Sequence, residues 1–376
     1  MPGLLPNVDP DGLLEYSVVY TDRALNHMSL AFRQVMRDIS ESLKSVYGAA
    51  SAVVVPGSGT FGMEAVARQF ATDRKCLVLR NGWFSYRWSQ ILEMGRMPTE
   101  TIVLKARQAE PGTQAPFTPA PLDEVVASIA AEKPNVVFAP HVETSCGMIL
   151  PDDYLREVAN AVHAVGGLFV LDCIASGAIW VDMKEIGVDV LISAPQKGWT
   201  GTPCCALVML GTGALGAMEG ATSTSFACDL GKWLEIMRAY ENGGHAYHAT
   251  MPTDGLRILA DVMREIEAFG YETARERQEV LGRRVRGLLE GHGIASVAAE
   301  GYQAPGVVVS YTTDPDIQSG RKFADAGLQI AAGVPLQCDE PDDFRTFRLG
   351  LFGLDKLADV DRTVASLEDA LNGVLP

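Results

Sequence analysis

Residues 189–210 read DVLISAPQKGWTGTPCCALVML, a polar turn caught between two apolar runs. DVLIS and CCALVML are apolar and β-branched enough for buried strands. Between them, Gln196, Lys197, Gly198, Thr200, Gly201, Thr202 and Pro203 make the turn. A lysine held there is either an ordinary solvated loop residue or a nucleophile presented at the edge of a sheet. The rest of the chain decides between them.

Upstream, from residue 51 to about 210, further apolar runs recur at SAVVVPG, KCLVLRNG, TIVLKA, NVVFAPH and GLFVLDCIA. Segments with a helical period separate several of them: TFGMEAVARQFA, SYRWSQILEMG, LDEVVASIAAE and DDYLREVANAVHAVG. This alternation predicts βαβ units: an α/β fold whose mostly parallel, seven-stranded sheet is flanked by helices. Residues 220–255 read as loop and helix rich in Gly, Thr and His. A long helical pattern is predicted from about Asp254 to Leu289. Residues 294–376 read as a smaller α+β unit, with strands at GVVVSY, IAAGVPL and TFRLGLF and a final helix, LADVDRTVASLEDALNGV. The expected division is an N-terminal segment 1–25, a large domain 26–255 and a small C-terminal domain 256–376.

Composition narrows the class. The chain has 376 residues, 47% hydrophobic and 21% charged, as in a soluble globular protein. Its formal net charge of −16 argues against a nucleic-acid or membrane partner, since both need a basic face. The seven cysteines (Cys76, Cys146, Cys173, Cys204, Cys205, Cys228 and Cys338) form no CxxC pair. An odd number, several inside apolar runs, predicts reduced thiols in a cytoplasmic protein and no metal centre. The opening MPGLLPNVDPDG lacks the basic and apolar regions of a signal peptide. The longest apolar run, GGLFVLDCIASGAIWV, is interrupted by Asp172 and is too short to span a bilayer.

Three features then converge. In VVVPGSGTFGMEAVARQF, Gly57-Ser58-Gly59-Thr60 ends a strand and opens a helix. Glycines allow close approach, and the free N–H groups of a helix N-terminus attract phosphate. Without the GK[ST] of a nucleotide loop, a triphosphate is disfavoured. Asp172 follows a strand-like apolar run in GLFVLDCIASGA and needs a cationic or donor partner, as either a structural ion pair or a carboxylate that keeps a ring nitrogen protonated. Lys197 comes 25 residues later, in the turn after the next strand. Sites in open α/β sheets lie beyond the carboxyl ends of the strands, where all three meet. An anion cradle, a carboxylate for a pyridinium and an amine for an aldehyde are what pyridoxal 5′-phosphate demands.

From about Asn26 to Arg348 the chain resembles the class V aminotransferases of the fold type I pyridoxal-phosphate enzymes. It is most similar to the alanine–glyoxylate and serine–pyruvate aminotransferases. The matching stretches are PGSGTFGMEA, NGWFSYR, HVETSCGMILP, VLDCIASGA, SAPQKG, YHATMP and FRLGLFG, in the family's order. The resemblance implies that Lys197 forms the internal aldimine and shuttles the substrate α-proton, and that Asp172 pairs with the pyridinium nitrogen. It implies that Ile174 presses on one ring face and Phe84 stacks on the other, with the adjacent Trp83 as the competing candidate. Ser58, Gly59, Thr60 and Gln196 are implied to hold the phosphate, and Thr144 to lie near the phenolic oxygen. Tyr247 and Thr250 match residues that reach the phosphate from the neighbouring subunit, which implies a homodimer with shared sites. Arg348 is implied to clamp the substrate carboxylate with its planar fork.

The chain also departs from the family pattern. YSVVYTDRALNHMS stands where a Gly-Pro-rich segment usually lines the substrate pocket, so Tyr16, Tyr20 and Asp22 are candidates for a different pocket wall. Cys146-Gly147 replaces the usual TG pair. His141, His245 and His248 lie close to matched motifs but are read as structural. The expected activity is transamination between a small amino acid, alanine or serine, and a small keto acid, glyoxylate or pyruvate. The rival is a fold type I lyase or cysteine desulfurase that uses Cys338, placed in a polar segment ten residues before Arg348. A ligand-responsive binding module is a remote third reading, since neither a DNA-binding domain nor a basic patch is visible.

Overall fold

The structure, a computed structural model, describes residues 11–374; the opening MPGLLPNVDP, which bears on the signal-peptide reading, lies outside them. The seven predicted strands all form. They are β1 (Ser51–Pro56), β2 (Lys75–Arg80), β3 (Glu100–Lys105), β4 (Val136–Pro140), β5 (Leu168–Asp172), β6 (Val190–Ser193) and β7 (Cys205–Leu210). They make one sheet in the order β1-β7-β6-β5-β4-β2-β3. β7 runs antiparallel to both its neighbours, and the other strand pairs are parallel. The central strands are buried along their length because helices cover both faces, so they read as unbroken apolar runs.

Helices α1 (Leu30–Tyr47), α2 (Gly59–Phe70), α3 (Trp83–Gly95), α4 (Leu122–Glu132), α5 (Asp152–Ala164) and α6 (Leu230–Glu241) supply that cover, α6 packing on β1 beside α1. Ser29 starts α1 by accepting the Phe32 N–H at 3.1 Å, and Gly48 ends it in the left-handed region at φ +64°. The long pattern from Asp254 to Leu289 is not one helix. Gly270, at φ +93°, divides it into α7 (Thr253–Phe269) and α8 (Tyr271–Gly291).

α7 buries Leu256, Leu259, Met263 and Ile266 in the core around the large sheet. α8 starts a second core, in which Ala274, Leu281, Val285 and Leu289 meet Phe347 and Leu349. That second unit carries an antiparallel three-stranded sheet of β8 (Val307–Tyr311), β9 (Ala331–Ala332) and β10 (Thr346–Gly350), in the order β8-β10-β9, and the last helix α9 (Val360–Val374). The strand expected across IAAGVPL is only the two residues of β9. Among the described residues, no helix is long and apolar enough to cross a membrane.

Candidate active site

The carboxyl ends of β1, β2, β4, β5 and β6 lie on one edge of the sheet, and the segments that end or directly follow them carry Ser58, Gly59, Thr60, Phe84, Thr144, Asp172, Ile174, Gln196 and Lys197. β6 and β7 are antiparallel neighbours, so the segment that joins them is a hairpin loop, and Lys197 sits in it. Thr200 N–H donates to the Lys197 carbonyl at 3.0 Å, and Gly201 N–H to the Pro195 carbonyl at 2.8 Å. Trp199, fully buried, anchors the loop: its ring lies 4.8 Å from Trp180, 6.1 Å from Tyr47 and 6.3 Å from Tyr271. The Thr200 hydroxyl accepts the Leu354 N–H at 3.2 Å, which ties the loop to the smaller unit.

The Lys197 amine lies 5.2 Å from the centre of the Phe352 ring and has no hydrogen-bond or ion-pair partner among the described residues. Burial lowers its affinity for a proton, and the nearby Arg348 charge lowers it further. Asp172, the last residue of β5, is 8% exposed. Burial pushes its carboxyl up to about 7, with Glu143 adding to the rise and Arg87 and Lys197 opposing it. One of its oxygens accepts the Ile174 N–H at 3.0 Å. No side-chain donor engages either oxygen among the described residues.

Ile174 lies two residues beyond the end of β5. Its side chain packs where an added Cβ on Gly59 would come within 2.6 Å of Cδ1. Ser58 caps α2 by position only: its hydroxyl makes no capping bond, and the first turn of α2 holds no acid. The Gly57 N–H donates to the Cys204 carbonyl at 3.0 Å, which joins this turn to the end of the lysine loop. Gln196 is exposed in the loop, and Thr144 is buried after β4.

Phe84, in the first turn of α3, faces this site. Its ring lies 5.4 Å from the Arg348 guanidinium and 5.3 Å from that of Arg87. Trp83 instead packs on Tyr86, with ring centroids 5.9 Å apart. Arg348 projects from β10, and its Nε donates to the Ala332 carbonyl at 2.8 Å. Its terminal nitrogens have no hydrogen-bond acceptor among the described residues. Arg87 and Phe352 were not singled out from the sequence; each stands in a matched motif beside a residue that was.

Tyr247 and Thr250 lie on the segment before α7. Both are exposed, and their hydroxyls are 3.1 Å apart. Tyr20 donates to the Met251 carbonyl on that segment at 3.2 Å and stacks on His27 at 5.7 Å. His27 in turn lies 5.5 Å from Tyr247. The atypical stretch Tyr16–Ser29 is thus attached to this loop, with Tyr16 itself 90% exposed and Asp22 accepting the Glu15 N–H at 3.2 Å. The histidines have structural partners, as expected: His141 with Ser176 at 2.7 Å, His245 with Arg33 at 3.0 Å and His248 with the Phe226 carbonyl at 2.8 Å.

The Cys338 reading fails on this geometry. Cys338 is 4% exposed, donates to the Arg80 carbonyl at 3.3 Å, and burial pushes its thiol up to about 12. Its segment is pinned, because the Glu340 carboxylate accepts the N–H groups of Leu336, Gln337 and Cys338 at 2.6, 3.1 and 2.8 Å. A desulfurase needs a thiolate on a segment free to reach the substrate, whereas this cysteine is buried, held by these bonds and pushed away from ionisation by burial.

Comparison with known proteins agrees. The family model for aminotransferase class V matches residues 13–314. A 2-aminoethylphosphonate–pyruvate transaminase of Pseudomonas aeruginosa is 30% identical over 335 residues, 88% of this chain and 85% of that protein. One from Burkholderia ambifaria is 30% identical over 92% of this chain and 89% of its own length. The alanine–glyoxylate aminotransferase of Nostoc sp. superposes with a TM-score of 0.77 at 20% identity, over 92% of this chain and 88% of that one, and shares the fold. The cofactor of these enzymes is pyridoxal 5′-phosphate, and the residues present fit it. Asp172 lacks the cationic partner that a ring N–H would supply, the Lys197 amine is uncommitted, and the start of α2 is an uncapped anion site. The chain belongs to the class V aminotransferases.

Proposed function

We propose that this aminotransferase moves an amino group from a small amine with one anionic head to pyruvate, which leaves as alanine. The observation that carries the reading is the place of Arg348. Its guanidinium lies beside the Phe84 ring and acts electrostatically on the Lys197 amine. A planar fork with free N–H groups suits a carboxylate, as in alanine or serine, or a phosphonate, as in 2-aminoethylphosphonate. The names of the 30%-identical relatives favour pyruvate as acceptor and 2-aminoethylphosphonate as donor. Glyoxylate has support only from neighbours that share the fold.

When bound, pyridoxal 5′-phosphate supplies an electron sink for the bond broken at the amine-bearing carbon. The remaining work belongs to the chain. Asp172 keeps the proton on the ring nitrogen, because a buried carboxylate needs that positive partner. The Lys197 amine, its basicity reduced by burial and by Arg348, takes the proton from the substrate carbon and returns it one position away. Phe84 and Ile174 would cover the ring and exclude water, Ser58, Gly59, Thr60 and Gln196 would hold the phosphate, and Thr144 would lie on the phenolic side. Arg348 fixes the anionic head, so that the labile hydrogen stays within reach of Lys197. Tyr247 and Thr250 complete the phosphate site of a second copy in a cytoplasmic homodimer. Their exposure leaves them available for that contact, and their mutual hydrogen bond holds the two hydroxyls together.

The test follows the visible spectrum of the cofactor-loaded protein as single amines are added without a keto acid. 2-Aminoethylphosphonate, alanine and serine are compared, and pyruvate is then added to reverse the change. The expected result is bleaching by alanine, the reverse of the pyruvate half-reaction, and by 2-aminoethylphosphonate as the second donor, with recovery on adding pyruvate. Absence of any change with all three would overturn the substrate reading.

A further inference from the structure

We infer that Arg87 is the cationic partner of the cofactor phosphate and that it sets the Thr60 hydroxyl as a donor to that phosphate. One Arg87 terminal nitrogen donates to Thr60 Oγ1 at 2.9 Å. Because Thr60 accepts there, its own hydroxyl proton is free to be given elsewhere. Thr60 lies in the first turn of α2, where no side-chain cap and no acid occupy the helix end. In that turn the N–H groups of Phe61 and Gly62 donate to the Ser58 carbonyl at 2.9 and 3.2 Å, and those of Gly59 and Thr60 have no acceptor among the described residues. The start of α2, the Thr60 hydroxyl and the Arg87 guanidinium therefore stand together, and each favours an anion.

Arg87 is otherwise unexplained. It is only partly exposed, yet no carboxylate pairs with it among the described residues, although the chain carries 47 acidic side chains against 31 basic ones. A partly buried cation without a counter-ion is costly, and a phosphate dianion would remove that cost. Phe84, three residues earlier on α3, shares the helix face and holds the guanidinium at 5.3 Å from its ring. The charge is felt across the site, since it acts on both Lys197 and Asp172. Arg87 and Arg348 thus both approach the Phe84 ring, Arg87 bonded to Thr60 of α2 and Arg348 projecting from β10. The assignment of Arg87 holds whichever donor the enzyme takes.

The experiment needs no substrate. The full-length protein, freed of cofactor, is titrated with pyridoxal 5′-phosphate and, separately, with pyridoxal, which lacks the phosphate. Arg87→Gln is expected to weaken pyridoxal 5′-phosphate binding about 10- to 100-fold, the range of a charge-assisted hydrogen bond, and to leave pyridoxal binding unchanged. Arg87→Lys, which restores the charge without the fork, is expected to recover part of the loss. An equal loss for both ligands would overturn the inference and make Arg87 a structural residue. Unchanged affinity for both, with a raised KM for the amino donor, would also overturn it and move Arg87 to the substrate.

Discussion

Glu143 accepts both the backbone N–H and the hydroxyl of Ser85, at 2.8 and 2.7 Å, and is fully buried while doing so. Its other oxygen takes the Phe84 N–H at 3.2 Å and both the N–H and the hydroxyl of Ser145. A carboxylate is thereby set at the N-terminus of α3, where the helix dipole and free N–H groups favour it. The consequence is positional: the turn that presents Phe84 is fixed from the segment that carries Thr144.

Gly82 is the place where this arrangement admits no side chain. A Cβ added there would meet Ser145 Oγ at 2.0 Å and Glu143 Cγ at 2.8 Å. Gly82→Ala is expected to cost about 1–3 kcal/mol by overpacking and to shift Phe84 off the site. Thermal unfolding and the cofactor's visible spectrum together check this. An unaltered spectrum in a destabilised variant would separate the fold effect from the site effect.

Trp199 anchors the lysine loop from below. Trp199→Ala is expected to cost about 3–5 kcal/mol, since it removes a fully buried aromatic from a cluster with Tyr47, Trp180 and Tyr271. Activity per folded molecule is expected to fall as well, because the loop that holds Lys197 loses its anchor. Denaturant unfolding with a parallel active-site titration measures both.

The strands, the lysine turn and the Asp172 strand end were legible in the sequence because each is a local pattern. Buried strands leave apolar runs, and the turn between β6 and β7 leaves glycines and a proline. Arg87 and Glu143 were not legible in this way. What singles each out is a partner far along the chain, Thr60 for Arg87 and Ser85 for Glu143, and local patterns carry no distances. Gly270 divides a helical pattern that periodicity alone reads as continuous, since an isolated glycine is tolerated within helices. The rival reading at Cys338 failed for a related reason: the polar composition around it does not show that Glu340 folds back onto three N–H groups.

Cys338→Ala is expected to leave transaminase turnover unchanged. With burial pushing the thiol up to about 12, almost no thiolate exists at pH 8. Turnover of the variant beside wild type, with sulfide release from cysteine as a second readout, checks this. Sulfide from the wild type that the variant fails to release would restore the rejected role.

Asp172 makes the cofactor-free protein sensitive to pH. Its carboxyl is pushed up from 3.8 to about 7 in the folded state, so the folded chain retains a proton that the unfolded chain gives up. Its contribution to stability is fully present below about pH 4 and is lost as pH rises to about 7, a matter of a few kcal/mol. His141 works in the opposite direction. Burial lowers it from 6.5 to about 3, so its contribution is lost as pH falls through that range. Comparison of wild type with Asp172→Asn at each pH cancels the histidine. The difference in Tm between them is expected to change steadily from pH 4 to 7 without cofactor, and to flatten when cofactor is bound. A pH-independent difference would mean that Asp172 is already paired in the free protein.

Arg348→Lys separates charge from geometry at the substrate end. The lysine keeps a cation on β10 but loses the two-pronged fit to a carboxylate or phosphonate. If Arg348 binds the anionic head in the ground state and the transition state alike, KM rises about 10- to 100-fold while kcat changes little. If the same anchor serves the amine and the keto acid in turn, both KM values are expected to rise together. A rise in only one would mean that donor and acceptor use different anchors. Unchanged KM values for both would remove Arg348 from substrate binding. The residue would then stand as a structural neighbour of Phe84, held by its bond to the Ala332 carbonyl.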